Sequence, residues 1–180
     1  MNDKILAVDI GFAATGMALF QVTKAGEILV TVQCVREDED KSKTHTYAAE
    51  VDVERTSRSV RKILDFIKLH DVKRIVCELP SAGAQGARAN RCMGIATGMI
   101  AAVVQSCELA VEWYTPTEVK NAAVGKPSAS KDEMMDAMEK VYPDLAKIKK
   151  KADKEHICDA AACYVAAKNG NMVKMLKSML

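Results

Sequence analysis

Three carboxylates stand apart from the other acidic residues, because each sits at the end or start of an element rather than on a polar face. Asp9 closes the apolar run Lys4–Asp9 (KILAVD), Glu78 closes Arg74–Glu78 (RIVCE), and Asp159 falls in the first turns of a helix expected over His156–Lys168. A carboxylate that follows an apolar run is costly to bury unless it is paired or holds a cation. Carboxylate oxygens together with the His156 imidazole suit a hard divalent ion, Mg²⁺ or Mn²⁺. Taken singly, each acid also reads as an ordinary turn residue or cap.

The elements that must bring these residues together follow from periodicity. Lys4–Asp9 is short and apolar, as a buried central strand is. Gly16–Gln21 (GMALFQ) and Glu27–Cys34 (EILVTVQC), joined through a turn at Ala25-Gly26, continue it as an antiparallel meander. Val60, Ile63, Leu64 and Ile67 recur at helical spacing within Arg55–Leu69. Arg74–Glu78 is a fourth strand and Val111–Tyr114 a fifth. If the third strand lies at one edge, the first and fourth are neighbours, and Asp9 meets Glu78. Between the last two strands, Pro80–Ala89 reads as a mobile loop. Arg91–Glu108 reads as a helix apolar all round, buried against the sheet. Thr115-Pro116-Thr117-Glu118 and Ser130-Lys131-Asp132-Glu133 both carry capping-box spacing and open helices. Met172–Leu180 suits a short terminal helix. The order β-β-β-α-β-α-β-α implies a five-stranded mixed sheet with helices on both faces, an α/β fold. The expectation is one domain over residues 1–180, with Glu37–Glu54 the stretch least defined by pattern.

Composition narrows the class. The chain has 180 residues with a formal net charge of +2, so no bulk charge holds it to a polyanion, although local basic patches remain open. Two basic stretches, Arg55–Arg74 and Lys140–Lys154, are candidates. The six cysteines include no CxxC pair and read as reduced thiols of a cytoplasmic protein. No stretch approaches the length of a membrane span, and Met1–Lys4 runs directly into a strand, so neither a membrane partner nor a signal peptide is expected.

Ile5-Leu6-Ala7-Val8-Asp9-Ile10-Gly11, continuing to Thr15-Gly16, resembles the opening strand of RuvC-type Holliday-junction resolvases, a branch of the ribonuclease H-like superfamily. Arg74-Ile75-Val76-Cys77-Glu78 is similar to the family's strand that ends in a catalytic Glu. His156-Ile157-Cys158-Asp159-Ala160 matches its helical motif of Asp or His followed three residues later by Asp, a spacing that puts both on one helical face. Val119-Lys120, Val124-Gly125 and Lys131 match a further segment, and the Gly94 and Gly98 pair matches more weakly. The Asp-x-Gly start alone also resembles actin-like sugar kinases, but those need a second such domain and a longer chain.

The resemblance implies a metal-dependent endonuclease that cuts four-way junctions, with two Mg²⁺ ions, Mn²⁺ substituting, held by Asp9, Glu78, His156 and Asp159. It implies that Lys120 and Lys131 contact DNA near the scissile phosphate, and that the protein works as a homodimer in the cytoplasm, the host's if phage-encoded. Met93, Met99, Ile100, Val103 and Val104 are candidates for the dimer contact. Glu155 reads first as a helix N-terminal charge. One departure is evident. The segment after Glu78, Leu79-Pro80-Ser81-Ala82-Gly83, has no aromatic where family members often place one. That points to a looser member acting also on forks and flaps, with Arg88 and Arg91 probing the branch point. The competing readings are a ribonuclease H-like nuclease acting on RNA or RNA–DNA hybrids, and a branched-DNA binding module without catalysis.

Overall fold

Five strands form one mixed sheet in the order β3-β2-β1-β4-β5 in a computed structural model that describes residues 4–37, 47–80 and 86–180. β1 (Lys4–Asp9), β2 (Ala14–Thr23) and β3 (Gly26–Arg36) are the antiparallel meander, and β4 (Arg74–Glu78) and β5 (Ala110–Tyr114) add in parallel on the other side of β1. β3 is the edge, as its position in the meander requires, so β1 and β4 are neighbours.

Both faces of β1 are buried, because its apolar run leaves no side for water. Ile5 and Ala7 enter one core and Leu6 and Val8 the other. β2 repeats the alternation, with Ala18, Phe20 and Val22 on the first face and Met17 and Leu19 on the second. The helices divide accordingly. On the second face lie α1 (Ala48–His70), through Ile63, Phe66 and Ile67, and α2 (Ala87–Ser106), through Ala96, Met99, Ile100 and Val103. The first face is covered by α5 (Lys151–Ala167), whose alanines 160, 161, 162 and 167 are fully buried. Small side chains let this helix lie close to the strands, and Tyr164 stacks on Phe20 with ring centroids 3.9 Å apart. Around α5 pack α3 (Pro116–Val124), α4 (Lys131–Val141) and α6 (Asn171–Met179), through Val119, Met134, Met138, Val173 and Leu176.

Three boundaries differ from expectation. α1 begins at Ala48, inside the stretch left undefined, because Val51 and Asp52 are buried and Asp52 is ion-paired to residues far along the chain. α5 begins at Lys151 rather than His156, after a 3-10 turn at Pro143–Lys147. α2 begins at Ala87, within the segment expected to be loop, while residues 81–85 of that segment, like the acidic stretch at 38–40, lie outside those described.

α2 also corrects the expectation of a helix buried all round. Only the face holding Ala96, Met99, Ile100 and Val103 is buried, whereas Gly94, Gly98, Ala101 and Ala102 are exposed. A side chain at Gly94 or Gly98 would meet nothing within 4 Å. The apolar composition of the outer face therefore has no partner among the described residues. Among the same residues no helix is long and apolar enough to cross a membrane.

Candidate active site

The parallel register sets Asp9 opposite Glu78, at the C-terminal ends of two adjacent central strands. On its other side Asp9 faces Gly16 of β2. A Cβ at Gly16 would collide with the His156 carbonyl, so the glycine is what lets α5 settle onto the sheet at that point. The Thr-Gly of the opening motif thus has a packing role: it brings the α5 residues to Asp9. His156 Nδ1 is 2.8 Å from Asp9 Oδ2. Gly11 is as confined, since a side chain there would strike the Ala14 carbonyl, and Thr15 Oγ1 donates to the Gly11 carbonyl at 3.3 Å. The turn after Asp9 is accordingly tight. Asp159 lies one turn beyond His156 on the same face of α5.

Electrostatics unite these groups. Burial pushes the Glu78 carboxyl up to about 8, helped by the negative charges of Asp9 and Asp159, with Lys120 opposing. Burial and Asp9 together push Asp159 up to about 6, against the pull of Lys131, His156 and Lys120. Both lysines singled out from sequence therefore act on the carboxylates. Their helices start where the capping boxes place them: Thr115 and Glu118 close one reciprocal pair, and Ser130 and Glu133 the other. Lys131 forms an ion pair with Glu155, so that acid is a lysine partner rather than a simple helix-end charge.

As placed, no three His, Cys, Asp or Glu side chains among the described residues converge closely enough to hold an ion. The Asp9–His156 hydrogen bond occupies two atoms that ligation would need. The donor set nevertheless fits a hard divalent cation. Three carboxylates and an imidazole are the right ligand types, and the two raised carboxyls gain most from a positive charge set between them.

The arginines expected to probe the branch point are both anchored on Asp52. Arg88 Nη2 lies 3.4 Å from Asp52 Oδ1, and Arg91 Nη2 pairs with Asp52 Oδ2. The basic stretches are largely engaged too. In the first, Arg58 and Lys62 grip the buried Glu37 at 2.7 and 2.6 Å. In the second, Lys147, Lys151 and Lys154 pair with Asp144, Asp132 and Glu139. Sequence reading also missed the bond from Arg36 Nε to Asp153 Oδ1 at 3.0 Å, which ties the end of β3 to the first turn of α5. Partners so far apart in the chain leave no local signal.

A β3-β2-β1-β4-β5 sheet of this mixed sense, flanked by helices on both faces, is the ribonuclease H-like fold. The model of one family within it, crossover junction endodeoxyribonuclease RuvC, matches residues 5–167, and the chain belongs to that family. No curated protein matches the chain. Among solved structures, RuvC of Thermus thermophilus in complex with a Holliday junction substrate superposes with a TM-score of 0.69 at 18% identity, covering 91% of each chain. The yeast mitochondrial Holliday junction resolvase Ydc2 gives 0.64 at 11% identity, over 99% of this chain and 85% of its own. The fowlpox virus resolvase with Holliday junction DNA gives 0.53 at 14% identity, over 91% and 99%. At these identities the structural likeness speaks for the fold.

Proposed function

We propose that this RuvC-family endonuclease cuts four-way DNA junctions, and forks and other branched DNA with them, by metal-dependent phosphodiester hydrolysis at Asp9, Glu78, His156 and Asp159. The observation that carries this is the register of Asp9 with Glu78 together with the His156–Asp9 contact at 2.8 Å, which gathers acids from two strands and a helix at one end of the sheet.

Asp9, Glu78, His156 and Asp159 would hold two Mg²⁺ ions, or Mn²⁺ in their place, whose charge would stabilise the attacking and leaving oxygens of an in-line displacement. Asp9, in register with Glu78 and hydrogen-bonded to His156, would be the central ligand of that set. Glu78 and Asp159 would complete the donors. His156 contacts Asp9 through Nδ1, which would leave Nε2 for a water or an ion. Lys120 acts on both raised carboxyls and Lys131 on Asp159, and both lysines would meet the phosphate that approaches them. The exposed outer face of α2 is our proposed homodimer contact, centred on Gly94, Gly98 and Ala101. Met99, Ile100 and Val103 are spent in the protein's own core. A twofold dimer presents two sites to the two strands that resolution must nick. The site of action would be the cytoplasm.

The test compares labelled four-way junctions, forks, linear duplex and RNA–DNA hybrid with Mg²⁺, Mn²⁺ or EDTA. Cutting of junctions and forks but not duplex, abolished by EDTA, is the expected result. Cleavage confined to the hybrid would replace the reading with a ribonuclease, and tight junction binding without any cutting would replace it with a binding module.

A further inference from the structure

Asp52 is the least exposed acid among the described residues, at 1% of its side chain, and the mechanism above has no use for it. It lies in the second turn of α1 and engages two guanidiniums from the first turns of α2. Arg88 and Arg91 give it one nitrogen each and remain 61% and 46% exposed. A guanidinium carries five donors, so each arginine keeps most of its hydrogen-bonding capacity for something outside the chain. A carboxylate that served only to cross-link two helices would need one buried partner, not two that are half in solvent.

Topology sets this cluster beside the catalytic strand ends. Arg55, one turn after Asp52 on α1, stacks over the ring of Phe12, three residues past Asp9 in the β1–β2 turn. α2 follows β4, whose last residue is Glu78. The arginines therefore stand at the active-site end on the α1/α2 face of the sheet. Lys120 and Lys131 stand at the same end on the α5 face. The carboxylates lie between two cationic groups that come from opposite sides of the sheet.

We propose that Asp52 is a positioning residue for a phosphate clamp: it holds Arg88 and Arg91 extended so that they bind the sugar-phosphate backbone of a duplex arm of the branched DNA. Asp52 fixes in advance the rotamers of two long side chains, which would otherwise be ordered only on binding. Planar guanidiniums then meet phosphate oxygens two at a time. The clamp rests on the branched-DNA reading above for the identity of its ligand. Its chemistry, two oriented guanidiniums for phosphates, comes from the cluster itself.

The test is binding of a labelled four-way junction in EDTA across a salt series, which removes cleavage from the readout. Each phosphate contact contributes about 0.9 to the slope of log K against log salt. Arg88→Gln leaves Arg91 on Asp52 and so leaves no buried charge unpaired; it should weaken binding and flatten the slope by about one. The triple variant Asp52→Asn, Arg88→Gln, Arg91→Gln removes the cluster whole and should flatten it by about two. Asp52→Asn alone separates anchoring from charge. It adds a positive unit, so simple Coulomb attraction would tighten binding, whereas loss of the anchor weakens it. As a control, Lys24→Gln with Lys73→Gln removes two charges at the far end of the sheet and should leave the slope unchanged. A triple variant with the wild-type slope, or tighter binding by Asp52→Asn, would overturn the clamp while leaving the nuclease intact. Wild-type protein that bound no branched DNA would overturn both.

Discussion

Two sets of part-buried or buried carboxylates lie at the same end of this sheet and are treated in opposite ways. Glu37 and Asp52, on the α1/α2 side, each hold two cations of their own chain. Burial works against the Glu37 charge, but hydrogen bonds from Lys62 and Arg58 overcome it and hold the carboxyl below its ordinary 4.5. Glu78 and Asp159, between the strand ends and α5, have no cation within bonding distance among the described residues, and burial with the charge of Asp9 pushes them up to about 8 and about 6. The first set is complete and the second is incomplete. The difference separates acids paired with cations of the chain from acids raised by burial and like charge.

The largest effect should come from breaking the second set at its centre. Asp9→Asn should lower the cleavage rate by about 10³-fold or more, roughly 4 kcal/mol in barrier, while junction binding in EDTA is kept or tightened. A variant that still cut at the wild-type rate with Mg²⁺ would remove Asp9 from the chemistry. Gly16→Ala attacks the same site from behind, by driving the His156 carbonyl off β2. It should cost about 3 kcal/mol in stability by chemical denaturation, and the protein that remains folded should lose activity.

Metal-free stability should sharpen the contrast through pH. Glu78 and Asp159 are raised in the folded state, so their contribution is fully present below their ordinary values of 4.5 and 3.8 and is lost as pH rises through about 6 and about 8. Glu37 is lowered, so its contribution is present above 4.5 and is lost as pH falls through its folded value. In EDTA the melting temperature should therefore fall between pH 5 and pH 8, and Mg²⁺ should restore it most at the alkaline end. Glu78→Gln should flatten that fall and raise the metal-free melting temperature at pH 8 by about 3 °C. Asp52→Asn should move stability the other way, down by about 1–2 kcal/mol, because it leaves a polar group buried without its ionic partners. If both substitutions shifted stability in the same direction, the two sets would not be distinct. The smallest effect expected is from Ser130→Ala, which opens one capping box next to Lys131 and should cost about 1 kcal/mol.

How much of this was legible in the sequence differs between the two sets. Asp9, Glu78 and Asp159 announce themselves, because each breaks a pattern: an acid closing an apolar strand, or standing among buried alanines. The capping boxes before Lys120 and Lys131 are equally local, since a cap and its partner lie three residues apart. Asp52 gave no such signal. It sits between Glu50 and Glu54 in the stretch least defined by pattern, and its partners are 36 and 39 residues away. The same distance hid the true start of α1. Arg88 and Arg91 looked free for that reason, and α2 looked buried because composition records how apolar a helix is but not how many of its sides find a neighbour.

The sequence by itself determined the alternating strands, the antiparallel meander, the two capped helix starts and the acids at the strand ends, because each rests on side chains within a turn or a strand length of one another. Only the tertiary structure decided which of those acids are paired and which are left to compete. That depends on the close passage of α5 over Gly16, on the register of β1 with β4, and on arginines carried to Asp52 by a separate helix. Charge pairing falls off with distance in space and is indifferent to distance along the chain.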